Sequence, residues 1–368
     1  MNIGLCGFGV VGRGVYEIVR QRPDMKVKKI LCLEDIQLPD AQTVKDFSEI
    51  LNDPEIDTVV EAMGGLHPSY DFARAALEAG KNVVSSNKAM VCTFYDELIP
   101  LAVRKGVSLR CTAAVGGGIG WLSELERARR VQTINQVGGI MNGTCNYILD
   151  NMTRLGLGYD EALKQAQKLG YAEANPATDV DGIDTWHKVI LSANVAFGIS
   201  LDKTTVPVSG IRNISAADVD CFKAHGKVCK LISTAKRTED GFSAYVQPTL
   251  VDAGSPEGAV PLNYNLITFI GQTSERMSFY GQGAGRYPTA YNVVQDLVDV
   301  TQGKSFYAPY GAPQAADNQE AHRYYVRGNW EGSIQEDWST GVVTAPVPVS
   351  QMHQWVKDHP NAFIAAVD

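Results

Sequence analysis

Apolar residues in the first third of the chain come in short runs that alternate with segments of helical periodicity. The runs that predict strands are 2–6, 27–33, 58–63, 82–86 and 108–113. The segments that predict helices are 10–19, 43–51, 68–79, 95–105 and 121–130. Strands that alternate with helices in this way are typical of an α/β fold with a doubly wound, Rossmann-type parallel sheet.

The pattern changes after Gly198. Shorter strand-like runs occupy 229–235, 243–251 and 266–270, and helical spacing returns at 291–300 and 349–359. This predicts a second, α+β domain whose sheet is mixed or antiparallel.

The segment 170–198 has the pattern of a helix that begins among acidic residues. Apolar residues recur at helical spacing from Ile183 onward, Asp181 is placed as a helix N-cap, and Gly198 follows the last turn. We therefore predict a helix that starts at Ile183 and ends just before Gly198.

This helix would bring charged groups together. Asp181, Asp184 and Lys188 share one face of its first two turns, and Glu173 lies on the loop before it. A lysine held beside carboxylates can transfer a proton when burial and its neighbours bring its pKa into range. An ordinary surface helix with an exposed Asp–Lys pair has the same spacing, and taken alone the segment favours that alternative.

A glycine turn connects the first predicted strand to the first helix. Gly7 permits a tight turn, Gly9 lets a pyrophosphate approach the backbone, and Gly12 allows the helix to pack closely on the strand. The helix N-terminus then offers N–H groups to the phosphates. This context predicts dinucleotide binding rather than a glycine-rich turn with no ligand.

The residues after the second predicted strand bear on the choice of cofactor. Glu34 follows the last glycine of the turn by about twenty residues, where an acid binds the ribose hydroxyls and repels a 2′-phosphate. This favours NAD(H) over NADP(H). The nearby Arg13 argues in the other direction, and Glu34 also fits a solvated loop.

Further candidate residues lie at turns that follow predicted strands or open a helix. Gly64 and Gly285 mark positions where the backbone can approach the cofactor. Lys88 follows the strand over 82–86, so a role in catalysis or substrate binding is as plausible as a surface position.

Composition excludes several classes of protein. The chain has 368 residues, a net charge of −8, seven scattered cysteines and six histidines without paired spacing. The negative charge argues against nucleic acid as the main partner, and the histidine spacing argues against a transition-metal site. No apolar run reaches membrane-spanning length, so we expect a cytoplasmic protein with reduced thiols and no membrane contact.

Seven sequence blocks, in this order, resemble homoserine dehydrogenases over about residues 1–305. The blocks are GFGVVGRG (7–14), EAMGG (61–65), SSNKAMV (85–91), AAVGGGIG (113–120), GIMNGTCNYIL (139–149), GYAEANPATDVDGIDTWHK (170–188) and GAGRYPTAYNVVQDL (283–297). The resemblance implies an NAD(P)-dependent interconversion of L-homoserine and L-aspartate 4-semialdehyde. It also implies a homodimer, with a nucleotide-binding domain over 1–135 to which a helix over 283–305 returns, a substrate-binding and dimerisation domain over 136–282, and a tail over 306–368.

The resemblance also implies roles for individual residues. Lys188 corresponds to the catalytic lysine and Lys88 to a second active-site lysine, while Glu173 would hold the substrate amino group beside Asp179 and Asp184. The remaining candidates for substrate binding are Tyr171, Gly143 and Thr144. The candidates for cofactor binding are Gly7, Phe8, Gly9, Val10, Val11, Gly12, Glu34, Gly64, Lys88 and Gly285. A monovalent cation such as sodium would be bound by the main-chain carbonyls of Val115, Gly117 and Ile119.

The chain departs from the family pattern mainly on the substrate side. Trp121 follows the glycine loop, where its indole would narrow the pocket, Asn175 replaces an aspartate, and Cys145 replaces a threonine or serine. These departures keep open a related dehydrogenase that acts on a different amino alcohol or semialdehyde. A non-catalytic dinucleotide-binding regulator is the third alternative, but it would need neither Lys88 nor Lys188.

The residues after 324–327 are too few for a complete regulatory ACT domain. We therefore do not expect feedback inhibition by threonine.

Overall fold

The computed structural model describes residues 1–304 and 312–367, which divide into two compact units. The first unit comprises Met1–Val131, Asn194–Ser200 and Gln282–Ala312. The second comprises Gln132–Ala193, Leu201–Gly281 and Pro313–Asp368.

Strands and helices are numbered along the described chain. The strands are β1 (Asn2–Cys6), β2 (Lys26–Leu31), β3 (Gln42–Val44), β4 (Thr58–Glu61), β5 (Asn82–Ser85), β6 (Leu109–Arg110), β7 (Ile134–Ile140), β8 (Lys227–Arg237), β9 (Phe242–Asp252), β10 (Tyr264–Gly271), β11 (Glu275–Gln282), β12 (Ala321–Arg327), β13 (Ile334–Trp338), β14 (Gly341–Thr344), β15 (Val347–Pro348) and β16 (Phe363–Val367). The helices are α1 (Val10–Val19), α2 (Ser48–Leu51), α3 (Ser69–Glu78), α4 (Lys88–Thr93), α5 (Tyr95–Lys105), α6 (Trp121–Ala128), α7 (Gly143–Leu155), α8 (Tyr159–Lys168), α9 (Ala177–Val180), α10 (Ile183–Phe197), α11 (Ala216–Ala224), α12 (Arg286–Thr301) and α13 (Val349–Asp358).

The first unit is built on a six-stranded parallel sheet in the order β3-β2-β1-β4-β5-β6. β1 and β4 are buried along almost their whole length, as expected for parallel strands with helices on both faces. Ile3 of β1 shares one apolar core with Val15 of α1 and Val293 of α12. The predicted α/β class with a doubly wound sheet is confirmed, and α12 belongs to this unit.

The second unit is built on a mixed sheet. Its strands follow the order β11-β10-β7-β8-β9-β16-β12-β14-β13, and β15 pairs with β12. β16 runs parallel to β9, whereas β8 pairs antiparallel with both β7 and β9. This agrees with the α+β character predicted for the second domain.

The helix predicted over 43–51 is wrong for its first half. Gln42–Val44 form the edge strand β3, and only Ser48–Leu51 are helical. Thr43 and Val44 are β-branched, and they pair with Ile30 and Leu31 of β2, a long-range contact that outweighs local helical spacing.

The C-terminal segment that the sequence marks as a separate tail over 306–368 contributes to the second unit. Residues 305–311 and Asp368 lie outside the described structure. From Pro313 onward the segment supplies β12 to β16 and α13, and Ala366 and Val367 of β16 pair with Thr249 and Leu250 of β9. The described part of the tail therefore extends the central sheet of this unit.

A buried carboxylate fixes this C-terminal segment to α11. Asp218 has no exposed surface and accepts hydrogen bonds from Tyr325 Oη at 2.6 Å and from Arg327 Nε at 3.0 Å. A buried charge is tolerated only when it is paired and hydrogen-bonded, so these contacts hold β12 in register against the helix. Nowhere in 1–304 or 312–367 does a helix combine the length and apolar character needed to cross a membrane.

A second buried polar cluster surrounds His353 of α13. Its Nε2 lies 3.0 Å from Gln247 Oε1, and its Nδ1 lies 3.1 Å from Ser209 Oγ. Because Gln247 Oε1 can only accept, Nε2 carries the proton and Nδ1 accepts from the serine. Burial, helped by the charge of Lys357, lowers the pKa of His353 from 6.5 to about 3.

This cluster predicts a loss of stability in mild acid. The unfolded chain binds a proton at His353 below about pH 6.5 whereas the folded chain does not, so stability falls as the pH drops. The contribution is about 2 kcal/mol between pH 7 and pH 5. Urea unfolding of wild type and His353→Gln at both pH values measures it, and the variant should lose about 2 kcal/mol less over this range. Equal pH dependence in the two proteins would show that His353 is not kept neutral by its surroundings.

Candidate active site

The glycine turn after β1 has the geometry that a bound phosphate requires. Gly7 has φ +97°, and a Cβ there would lie 2.8 Å from the carbonyl oxygen of Ala62. A Cβ on Gly12 would overlap the carbonyl oxygen of Gly7, whereas the space around Gly9 is open. Gly9 caps α1 without a side-chain hydrogen bond, so the first N–H groups of the helix are directed to a ligand or to water.

The other cofactor candidates near this turn lie in different environments. Phe8 is buried in the core, Val10 is exposed and Val11 is partly buried. The guanidinium of Arg13 lies over the Phe8 ring at 4.7 Å and forms an ion pair with Glu34 at 3.0 Å. Glu34, which favours NAD(H), and Arg13, which favours NADP(H), therefore pair with each other.

The remaining cofactor candidates lie in the loops after β4 and β5 and at the start of α12. Gly64 has φ +86° with open space around it, and Gly285, which caps α12, has φ +129°. Lys88 is the first residue of α4, whose N-cap Asn87 accepts a hydrogen bond from Met90 N at 3.1 Å. Lys88 thus lies at the carboxyl edge of the parallel sheet, where ligands bind in this fold.

A buried lysine and two acids lie together in the second unit. Lys188 is 7% exposed, and its Nζ donates to Asp184 Oδ2 and to the carbonyl oxygen of Met141, both at 2.7 Å. Asn142 donates from Nδ2 to Asp179 Oδ1 at 2.7 Å and to Asp184 Oδ2 at 2.8 Å. The surface-helix alternative for this Asp–Lys pair is therefore wrong, since both side chains are buried.

The remaining substrate candidates flank this cluster. Thr144 donates from Oγ1 to the carbonyl oxygen of Tyr171 at 2.5 Å, next to Gly143 at the start of α7. Cys145 is buried, and its Sγ lies 3.1 Å from the carbonyl oxygen of Asp179. Burial, reinforced by the charge of Asp179, raises the pKa of this thiol well above its usual range.

Of two acids in the segment 170–198, Asp181 differs from the sequence prediction, whereas Glu173 lies on the predicted loop. Asp181 does not cap α10, because Gly182 precedes its first residue with φ +84°, and the Asp181 carboxylate instead forms an ion pair with Arg212 at 2.7 Å. Glu173 is exposed, and its main-chain oxygen accepts a hydrogen bond from Gln167 Nε2 at 3.1 Å.

Comparisons with known proteins agree with this arrangement. Residues 7–112 match the NAD binding domain of homoserine dehydrogenase, and residues 121–298 match the homoserine dehydrogenase family itself. A homoserine dehydrogenase of Bacillus subtilis is 34% identical over 330 residues, covering 84% of this chain and 76% of the relative. One of Pseudomonas aeruginosa is 36% identical over 314 residues, covering 82% and 72%. The chain belongs to the homoserine dehydrogenase family.

A solved structure agrees as well. The homoserine dehydrogenase of Thiobacillus denitrificans is 28% identical, with a TM-score of 0.87 over 100% of this chain and 98% of that one. The resemblance inferred from the sequence blocks is confirmed. The chain is an NAD(P)-dependent oxidoreductase that interconverts L-homoserine and L-aspartate 4-semialdehyde, a step of threonine and methionine biosynthesis. Neither the different substrate nor the non-catalytic regulator is supported.

Two of the three carbonyl oxygens expected to bind a monovalent cation accept hydrogen bonds. Gly117 O accepts from Asn292 Nδ2 at 2.5 Å, and Ile119 O accepts from Trp121 N at 2.7 Å. Because a carbonyl oxygen has two lone pairs, each of these oxygens can still accept a second partner. The cation site at Val115, Gly117 and Ile119 therefore stays a prediction, and no chemical step is assigned to a cation.

Of the departures from the family pattern, Trp121 lies in a different environment from the one expected, and Asn175 lies at the surface. Trp121 has no exposed surface, so its indole acts as a core side chain at the start of α6 and does not line an open pocket. Asn175 is exposed, and its Oδ1 accepts a hydrogen bond from Ala177 N at 3.2 Å at the turn before α9.

Asn142 is the residue of this site that the sequence prediction missed. Its position immediately before α7 is a recognisable N-cap signal, and Oδ1 accepts from Cys145 N at 2.8 Å. Its second role, donation to Asp179 and Asp184, joins residues that are far apart in the chain, so local spacing does not reveal it.

Replacing Asn142 tests this role. Asn142→Ala removes a helix cap and two hydrogen bonds to carboxylates, and we expect the free energy of unfolding to fall by about 2–4 kcal/mol. Asn151→Ala is the matched control, because Asn151 is a buried asparagine of the same helix whose Nδ2 has no partner among the described residues. Urea denaturation measures both. Equal losses would mean that the carboxylate contacts of Asn142 add nothing to stability.

Proposed function

We propose that Lys188 is the acid–base group with which this chain oxidises L-homoserine and reduces L-aspartate 4-semialdehyde. The observation that carries the proposal is the buried Lys188 ammonium, held by Asp184 and the Met141 carbonyl. An ammonium has three N–H groups, and these contacts account for two. The third is the donor that we assign to the substrate oxygen.

The proton balance follows from this assignment. When bound, the nicotinamide cofactor accepts or supplies the hydride. During reduction of the aldehyde, Lys188 donates a proton to the oxygen that becomes the hydroxyl. During oxidation of the alcohol, the neutral amine accepts that proton, and Asp184 stabilises the ammonium that results.

The acidic residues suit the other end of the substrate. Homoserine carries a cationic amino group, and Asp179, Asp184 and Glu173 supply negative charge in the second unit. Thr144, in the first turn of α7, is hydrogen-bonded to the main chain of Tyr171. In the first unit we assign Lys88 to the developing charge on the alkoxide. Asn142 links Asp179 and Asp184, because its Nδ2 donates to both carboxylates.

We further propose that NAD(H) is preferred over NADP(H). Glu34 is exposed beside the end of β2 and neutralises Arg13, the base that would otherwise attract a 2′-phosphate. The ion pair supports the preference for NAD(H) inferred from the sequence, because it places an acid at the ribose position and engages the base that would bind a 2′-phosphate.

We also propose a homodimer in the cytoplasm. The edge strand β11 carries the exposed apolar side chains of Met277 and Tyr280, which a second copy of the chain can cover. All seven cysteines are free thiols, as suits a reducing compartment.

Replacing Lys188 tests the acid–base assignment. Lys188→Ala should lower kcat by about 100- to 10,000-fold, because it removes the proton donor of the reaction. Binding of NAD(H), measured by nicotinamide fluorescence, should be unchanged. Lys164→Ala, at an exposed lysine of α8, is the control and should keep full activity. Retention of kcat in Lys188→Ala would move the acid–base role to another group.

Replacing Glu34 tests the cofactor preference. Glu34→Ala releases Arg13 and removes the repulsion of a 2′-phosphate, so the ratio of kcat/KM for NAD+ over NADP+ should fall by about tenfold or more. Asp35→Ala is the matched control, since this neighbouring exposed acid pairs with Lys45 at 2.8 Å instead. An equal change of the ratio in both variants would attribute the preference to net charge and not to Glu34.

A further inference from the structure

A buried carboxylate at the end of β4 has no part in the chemistry described so far. Glu61 is 0% exposed, and its Oε1 accepts hydrogen bonds from Met63 N at 2.9 Å and Gly64 N at 3.4 Å. Its Oε2 accepts from Ser85 Oγ at 2.6 Å. Every one of these contacts uses the carboxylate as an acceptor, and together they join the loop after β4 to the end of β5.

The hydrogen bonds continue from Ser85 to the helix that begins with Lys88. Ser85 Oγ accepts from Asn87 N at 3.0 Å, so the serine proton must be the one directed at Glu61. Asn87 in turn caps α4 through Met90 N, and its Nδ2 donates to the Gly65 carbonyl at 2.6 Å. The chain of bonds therefore returns to the glycine turn from which it started.

The location of this closed chain makes it relevant to the reaction. The order of the parallel sheet reverses between β1 and β4, and Cys6 at the end of β1 pairs with Glu61 at the end of β4. Ligands of doubly wound sheets bind outside the strand ends at such a reversal. The bonds connect the two loops there, the Gly64–Gly65 turn and the first turn of α4.

We infer that Glu61 is a positioning residue, which through Ser85 and Asn87 fixes Lys88 relative to the Gly64–Gly65 turn that approaches the cofactor. This inference rests on the proposed role of Lys88. A carboxylate is required because both of its oxygens accept. A glutamine keeps the size of the side chain but turns one acceptor into a donor, which leaves either the N–H groups of the turn or the Ser85 hydroxyl without an acceptor.

The test is a double-mutant cycle between Glu61 and Lys88. Glu61→Gln should lower kcat about 10- to 100-fold with NAD(H) affinity changed less than about threefold, because misplacement of an active-site group slows the reaction more than it weakens cofactor binding. In a Lys88→Ala background the same substitution should change kcat less than about threefold, since the group it positions is already absent.

Ser85→Ala breaks the same chain at its next link and keeps the inference testable if Glu61→Gln does not fold. It should give the same loss of kcat in wild type and the same absence of effect in Lys88→Ala. Ser123→Ala is the control, because its hydroxyl bonds to Thr112 in the same unit without touching this chain of bonds. The control should keep wild-type kcat in both backgrounds.

The outcomes separate this inference from the proposed function. If Lys88→Ala itself leaves kcat unchanged, the role proposed for Lys88 fails, and the inference that depends on it fails too. If Lys88→Ala lowers kcat but Glu61→Gln lowers it further by the same factor as in wild type, the role of Lys88 stands and the positioning by Glu61 is refuted. If Glu61→Gln lowers kcat only in protein that retains Lys88, the result supports both the role of Lys88 and its positioning by Glu61.

Discussion

The candidate substrate site depends on the burial of one positive charge. The Lys188 ammonium is stable in the interior because Asp184 neutralises it and the Met141 carbonyl accepts its second hydrogen bond. Removing one partner of a buried ion pair leaves an uncompensated charge, at a cost of about 3–5 kcal/mol. This requirement brings the start of α10 to the segment between β7 and α7, and the N-cap Asn142 then binds both acids. The contacts that stabilise the fold here are also the ones that support the acid–base role proposed for Lys188.

The first unit also contains a buried charge that depends on its hydrogen-bond partners, but here the charge is negative. Its cofactor turn leaves main-chain N–H groups at the start of α1 for a phosphate, while the buried carboxylate of Glu61 binds the N–H groups of the next loop. Gly7 and Gly12 are required because a side chain at either position would meet backbone atoms. Fixed main-chain geometry therefore prepares this edge of the sheet for a ligand before the ligand arrives.

Local signals in the sequence predicted the parts of the structure that neighbouring residues determine. The apolar spacing from Ile183 predicted α10 with its end at Gly198, whose φ of +69° explains the glycine, and the glycine turn predicted α1. Spacing also placed Asp184 and Lys188 on one helix face, but their burial follows from Met141 and Asn142, more than forty residues earlier in the chain. Contacts between residues so far apart in the chain produce no periodic pattern in the sequence.

The lack of a local signal for long-range contacts also explains the predictions that were wrong. Asp181 has the sequence context of a helix cap, yet Arg212 binds it, and β3 forms because β2 is its neighbour in the sheet. The side chains of β13 are mostly exposed and show little apolar alternation, and the place of this strand in the sheet is set by its pairing with β14. The role of Glu61 was hidden in a recognised sequence block, because a buried acid and a surface acid look alike in sequence.

The most direct test of this account is the reduction of nicotinamide by purified protein, followed by absorbance, with L-homoserine as the only alcohol and NAD+ or NADP+ in parallel. The account predicts homoserine-dependent reduction of both cofactors, with NAD+ the faster. Absence of reduction with homoserine, in protein that binds NAD(H) and is folded, would contradict the assignment of Lys188 and its acidic partners to this substrate.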